Sequence, residues 1–168
     1  MRTRLRDAAK DAQDVLLNYW ADETGRLAIP IDPIWIAREL GIQVFVSDMD
    51  LDVSGTLRRS HGETVIDLNR SDAPVRQRFT CAHELGHFVY NTSGVEPASA
   101  FEFVDFRSTL AAAGVDPAEI YANRFAAALL MPEDEVRKRQ HLGVPLSALS
   151  FNVSEQAMSL RWRSLGIA

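Results

Sequence analysis

Apolar side chains recur at helical spacing along most of this chain and at strand spacing over one shorter stretch. From about Leu5 to Trp20, the residues Ala8, Ala12, Val15, Leu16 and Tyr19 fall on one helical face, and Gly25 closes that region. Asp32 to Leu40 predicts a short helix stopped at Gly41, after which Ile42-Gln43-Val44-Phe45-Val46 alternates as a strand does. Two further strands are expected at Ser54 to Arg58 and Thr64 to Leu68, joined through Ser60-His61-Gly62-Glu63 as a hairpin turn. His61 is then an exposed turn residue. Ser71, Asp72 and Pro74 open a longer helix, on which Val75, Phe79, Ala82, Leu85 and Val89 form an apolar face. A second long helix starts at Asp116-Pro117, carries Ile120, Phe125, Ala128 and Leu129 on one stripe, and ends before Pro132.

The pattern is less regular between these two helices, from Asn91 to Gly114. Gly94 and Pro97 break the chain there, and Phe101, Phe103 and Phe106 follow. Aromatics are mostly core residues, so these three are expected to pack over the core rather than line a cleft. Beyond Pro132, Glu133-Asp134-Glu135 leads into Arg137-Lys138-Arg139, a charge order suited to the two ends of a helix dipole. Leu146 to Val153 and a helix capped by Ser154 and running to Leu165 then form two short helices around Asn152-Val153, which resemble a helix-turn-helix. Ala157, Leu160 and Leu165 are expected to face inward, with Arg161 and Arg163 at the surface.

Composition narrows the class. At 168 residues, 46% hydrophobic and 24% charged, the chain has the make-up of an ordinary globular domain able to bury a sizeable core. A net charge of −5 and a pI near 5.3 argue against a general nucleic-acid binder. The C-terminal pair of helices is therefore expected to complete the core or hold a protein partner, with direct DNA binding the lesser alternative. A single cysteine excludes an internal disulfide framework, and Cys81 reads as a small buried hydrophobe. No apolar run is long enough to span a membrane and no signal peptide is visible, which points to a cytoplasmic protein.

The chemistry is concentrated in His83-Glu84-Leu85-Gly86-His87. Residues four apart on a helix share a face, so both imidazoles can approach one metal ion while Glu84 projects beside them. Zinc suits imidazole donors, and a catalytic zinc site uses three protein ligands so that water can hold the fourth position. The ion lowers the pKa of that water to about 7. Glu84 would take the proton from the water and pass it to the leaving amine. The third ligand must come from elsewhere. Glu119 is the best candidate, although its spacing from Asp116 also fits a capping box in which it serves only the helix N-terminus. Glu102, Asp105 and Asp116 are rivals on chemistry alone, while nothing around His61 and His141 places them at a site. Tyr90, Tyr121, Arg124 and His141 are unranked candidates for stabilising an oxyanion.

Two ordered motifs carry a resemblance. Phe79-Thr80-Cys81-Ala82-His83-Glu84-Leu85-Gly86-His87, followed by Glu119-Ile120-Tyr121-Ala122-Asn123-Arg124-Phe125-Ala126-Ala127 and Leu129-Leu130-Met131-Pro132, is similar to the ImmA/IrrE family of zinc metallopeptidases. Asp32 to Ile42 resembles that family's early helix leading into a strand. The resemblance implies Zn2+ held by His83, His87 and Glu119, with Glu84 as catalytic base. It also implies a helix-turn-helix transcriptional repressor as substrate or partner, cleaved to release genes of a mobile element or stress response.

The expected fold is α+β: a small, mostly antiparallel sheet packed against a zinc-binding helix pair, with a helix-turn-helix-like tail. Residues 1–131 form the metallopeptidase-like core and 132–168 the tail packed on it, within one structural domain. The alternative function is a non-catalytic, metal-containing regulator or toxin–antitoxin partner acting through protein or DNA binding. Glu84 discriminates between the two, since a structural metal site is closed by four ligands and has no use for a base.

Overall fold

The computed structural model describes residues 7–93, 99–106 and 116–167. Leu5, Gly94, Pro97 and Gly114 lie outside the described residues. Helix α1, Ala8–Tyr19, begins where the Asp7 carboxylate accepts hydrogen bonds from the backbone N–H groups of Ala9 and Lys10. Helix α2, Pro33–Glu39, is capped in the same way by Asp32 and is followed by Gly41 at φ 77°, in the left-handed region that favours glycine.

Strands β1 (Gln43–Ser47), β2 (Val53–Ser60) and β3 (Glu63–Asn69) follow. Between β2 and β3, His61 at φ 52° and Gly62 at φ 84° form the two-residue turn whose twist matches a hairpin. The His61 ring is exposed and bonds Ser60 Oγ at 2.8 Å.

A fourth strand, β4 (Phe101–Phe106), completes a sheet of order β1-β3-β2-β4. Strand β1 runs parallel to β3, and the other two pairings are antiparallel, so the sheet is small and mostly antiparallel as the sequence predicts. β4 lies in the stretch read as irregular. Phe101, Phe103 and Asp105 turn to one face and Glu102, Val104 and Phe106 to the other, which puts apolar residues on both faces and hides the period of two.

Helix α3, Pro74–Thr92, lies across the sheet. Its N-cap is Ala73 with no side-chain cap, so Ser71 and Asp72 do not play the capping part expected of them; Pro74 alone marks the start. Val44, Leu57, Ile66 and Leu68 are buried, and Gly55 lets the helix come down on the sheet. A Cβ at Gly55 would lie 2.6 Å from Thr80 Cγ2 and 2.9 Å from the Asp67 carbonyl oxygen.

Helix α4, Pro117–Leu130, packs along α3 and buries Ala122, Phe125, Ala126 and Leu129. The tail comprises α5 (Glu133–Arg139), a 3-10 turn (Gln140–Leu142), α6 (Gly143–Phe151) and α7 (Glu155–Ser164), with the Ser154 hydroxyl accepting from Ala157 N. Phe151 and Met158 carry the tail into the main core. Leu160 does not face inward as expected: it is 53% exposed, Met158 takes the buried place, and Arg161 turns back so that its Nε donates to the Met131 carbonyl at 2.9 Å. Helix α7 is thus rotated by part of a turn from the expected setting. Among the described residues, no helix is long and apolar enough to cross a membrane.

Candidate metal centre

From Thr80 to His87, two turns of α3 are buried without a break, enclosed by the sheet, α2 and α4. A helix buried all round is ordinarily apolar, because a polar side chain taken out of water costs free energy unless it is paired. Here His83, Glu84 and His87 are 2%, 0% and 1% exposed. Three ionisable groups in such a place call for a chemical reason.

Glu119 supplies part of it. It stands in the first turn of α4, while the cap itself is made by Asp116, whose carboxylate accepts from Ala118 N. The Glu119 carboxylate turns instead to the two imidazoles: Oε2 lies 3.3 Å from His83 Nε2, and Oε1 lies 3.0 Å from His87 Nε2. The two Nε2 atoms are 3.1 Å apart. Lone pairs at such separations repel unless a proton or a cation lies between them. Donors about 2.0–2.1 Å from a tetrahedral ion sit roughly 3.3 Å from one another, so the triangle is close to the size that zinc requires.

Among the described residues this is the group of His, Cys, Asp and Glu side chains that could hold a metal ion. The rivals are elsewhere: Glu102 is exposed on β4, Asp116 is the cap, His61 is in the hairpin turn and His141 is exposed in the 3-10 turn. Asp105 is buried close enough for its charge to act on His83 and Glu84, but it does not join the donor group.

What brings α4 within reach is the glycine inside the motif. A Cβ on Gly86 would lie 2.8 Å from Ala122 Cα, 3.1 Å from the Ala122 carbonyl oxygen and 3.2 Å from Phe125 Cβ. The helices therefore touch backbone to backbone at Gly86 and Ala122, one turn beyond Glu119. Neither residue stands out by type in the sequence, and only this spatial pairing gives them a role.

The two imidazoles are held by different means. His83 Nδ1 lies 3.0 Å from Asn123 Oδ1; an amide oxygen only accepts, so Nδ1 donates in this bond and Nε2 is the nitrogen turned to Glu119 and His87. His87 has no hydrogen-bond partner at Nδ1 among the described residues, and its ring stacks on Phe103 of β4 at 4.4 Å between centroids with 12° between planes. Phe101 and Phe103 do pack on the core, as expected, while Phe103 also walls the donor cluster and Phe106 is exposed.

Electrostatics follow from this enclosure. Burial alone pushes His83 down, but its hydrogen bond with Glu119 and the charges of Glu84 and Asp105 outweigh it and raise the pKa. The hydrogen bonds from His83 and His87 hold the Glu119 carboxyl well below the usual carboxylate range. Glu84 is the reverse case. Both its carboxyl oxygens are buried without a hydrogen-bond partner among the described residues, and burial pushes its pKa up to about 8. A cation on the neighbouring donors favours its ionised form, so the proton on Glu84 is tied to the occupancy of the donor triangle. Burial likewise pushes the Cys81 thiol up, in keeping with an inert apolar role.

Of the candidates for an oxyanion donor, the Tyr121 hydroxyl is engaged by Asp11 Oδ2 at 2.6 Å, the Tyr90 ring lies against that of Tyr121, and His141 is exposed. Arg124 is exposed on α4, in the wall of a groove of about 1510 Å³ that Asn123, Phe79 and α7 also line.

The sequence model of a peptidase family described as the IrrE N-terminal-like domain matches residues 37–163. Among solved structures, a Mycobacterium tuberculosis transcriptional regulator is similar with a TM-score of 0.53 and 16% identity, over 93% of this chain and 51% of that one. The chain spans about half the length of that regulator, and likeness at this identity concerns the fold alone. No curated protein matches.

Proposed function

Because this chain belongs to the IrrE N-terminal-like family, whose domains are metallopeptidase-like, we propose that it is a zinc-dependent endopeptidase in which His83, His87 and Glu119 hold the ion and Glu84 is the base. The observation that carries the reading is Glu84: a wholly buried carboxyl, without a hydrogen-bond partner among the described residues, next in sequence to a ligand histidine. A structural site has no use for such a group. When bound, zinc supplies a Lewis acid that polarises a substrate carbonyl and makes water a stronger acid.

The chain's own residues do the rest. His83 presents Nε2 because Asn123 holds the proton on Nδ1. His87 keeps its plane against Phe103, and Glu119 adds a negative charge that balances part of the cation. Glu84, dry and uncommitted, takes a proton from the attacking water and returns it to the amine nitrogen as the peptide bond breaks. By family resemblance the substrate is a helix-turn-helix transcriptional repressor, cut to release the genes it silences, in the cytoplasm.

Glu84→Gln, co-expressed with a candidate repressor, tests the reading. We expect the variant to fold, to bind one zinc per chain by elemental analysis, and to lose cleavage by at least 10²-fold, the lower end for a lost general base. Unchanged cleavage removes Glu84 from the mechanism. A wild type that binds zinc yet leaves every candidate repressor intact favours the non-catalytic regulator or toxin–antitoxin partner instead.

A further inference from the structure

The metal reading gives the two histidines one task, yet the fold holds them unequally. His87 is fixed by stacking and has an orphan Nδ1 among the described residues. His83, by contrast, has its Nδ1 engaged by an amide side chain on the opposing helix. We propose that Asn123 is a positioning residue for His83: its amide oxygen locks the ring in the Nδ1–H tautomer, turns the Nε2 lone pair toward the point shared with His87 and Glu119, and does so without adding charge. The proposal rests on the metal-binding reading above and deepens it.

Three features support it. Asn123 stands four residues after Glu119 on α4, so a single helical face delivers a donor of the triangle and the group that orients a second donor. Its backbone is pinned, because the preceding residue, Ala122, makes the backbone contact with Gly86. The Asn123 backbone therefore cannot move away from His83 without parting the two helices.

The third feature is charge. Partners that orient a metal-binding histidine are often carboxylates, which make the ring more basic as well as better placed. This pocket already holds Glu84 and Asp105 buried and Glu119 partly buried. A carboxylate in place of the Asn123 amide would crowd a fourth acidic side chain into the pocket, whereas an amide orients the ring and adds no charge.

The test compares wild type with Asn123→Leu and Asn123→Asp, with Asn123→Ala as the second variant should the leucine fail to fold. Zinc affinity is read on the metal-free proteins by competition with a chromophoric chelator. Asn123→Leu or Asn123→Ala should bind zinc 10- to 100-fold more weakly, and Asn123→Asp should stay within a few-fold of wild type or bind more tightly. Long-range proton–nitrogen NMR of the metal-free proteins, at a pH high enough for the imidazole to be neutral, should show His83 as the Nδ1–H tautomer in wild type and lose that signature in the leucine or alanine variant.

Equal zinc affinity across the series, or an unchanged His83 tautomer without Asn123, overturns the proposal. Neither measurement uses a substrate. A wild type that cleaves no repressor but shows both differences would sink the endopeptidase and support Asn123.

Discussion

The seam between α3 and α4 and the turn between α6 and α7 are both contacts between helices, made from opposite materials. At the seam, Gly86 and Ala122 meet with no room for a methyl group, and the side chains around them are ionisable and buried. At the turn, Asn152 adopts φ 52°, Ser154 caps the next helix, and Leu149 on α6 is 76% exposed. Phe151 and Met158 plug the tail into the core, and the guanidinium groups of Arg78, Arg137 and Arg161 grip main-chain carbonyls. A site whose donors must hold within a few tenths of an ångström is built on backbone approach, whereas a segment that need only stay attached is built on plugs and caps. Tolerance to change should differ accordingly.

The largest difference is expected in the pH dependence of the metal-free protein. The Glu84 pKa of about 8 lies above its ordinary 4.5, so its protonated form favours folding. That contribution is fully present below about pH 4.5 and is lost as pH rises through about 8, by as much as about 5 kcal/mol at roughly 1.4 kcal/mol per unit. Urea melts with a chelator at pH 5 and pH 8 should show the loss; Glu84→Gln should flatten it, and changes in the tail should leave it intact. The same slope in Glu84→Gln would place its origin elsewhere.

Next comes Gly86→Ala. Alanine favours a helix interior by up to about 1 kcal/mol over glycine, while overpacking costs about 1–3 kcal/mol, and here the clash is with backbone that cannot rotate away. A net loss of about 1–2 kcal/mol is expected, together with weaker zinc binding as α4 is pushed off. A variant as stable as wild type with full zinc affinity would show that the seam has slack.

The smallest effects belong to the tail. Ser154→Ala should cost about 1 kcal/mol through the lost cap, and Leu149→Ser should stay within about 0.5 kcal/mol. Zinc affinity should be unchanged in both. A tail substitution that weakens zinc binding as much as Gly86→Ala would erase the distinction between the two regions.

The same contrast explains what could be read from the sequence. His83, Glu84 and His87 were legible because one local spacing carries a chemistry, and the long helices because apolar residues repeat every three or four positions. Glu119 was legible as a candidate but not separable from a capping residue, since both roles have the same spacing; only the direction of its carboxylate separates them. Gly86 and Asn123 act across the gap between helices, and a linear pattern contains nothing of that gap. Strand β4 was missed because Val104 and Phe106 put apolar side chains on the outer face. The setting of α7 is hidden for a related reason: Leu160 and Met158 are both apolar, and nothing in the linear pattern says which of them is buried.

Arg78 gives the arrangement a mechanical meaning. It lies on α3 five residues before His83, and its guanidinium binds the carbonyl oxygens of Ile31 at 2.6 Å, Asn152 at 3.1 Å and Phe151 at 3.4 Å. Two stretches distant along the chain are tied there like spokes to a hub, and the hub is mounted on the shaft that bears the imidazoles. Any load that bends the C-terminal hairpin at Asn152 is delivered to that shaft directly, without passing through solvent or a loop.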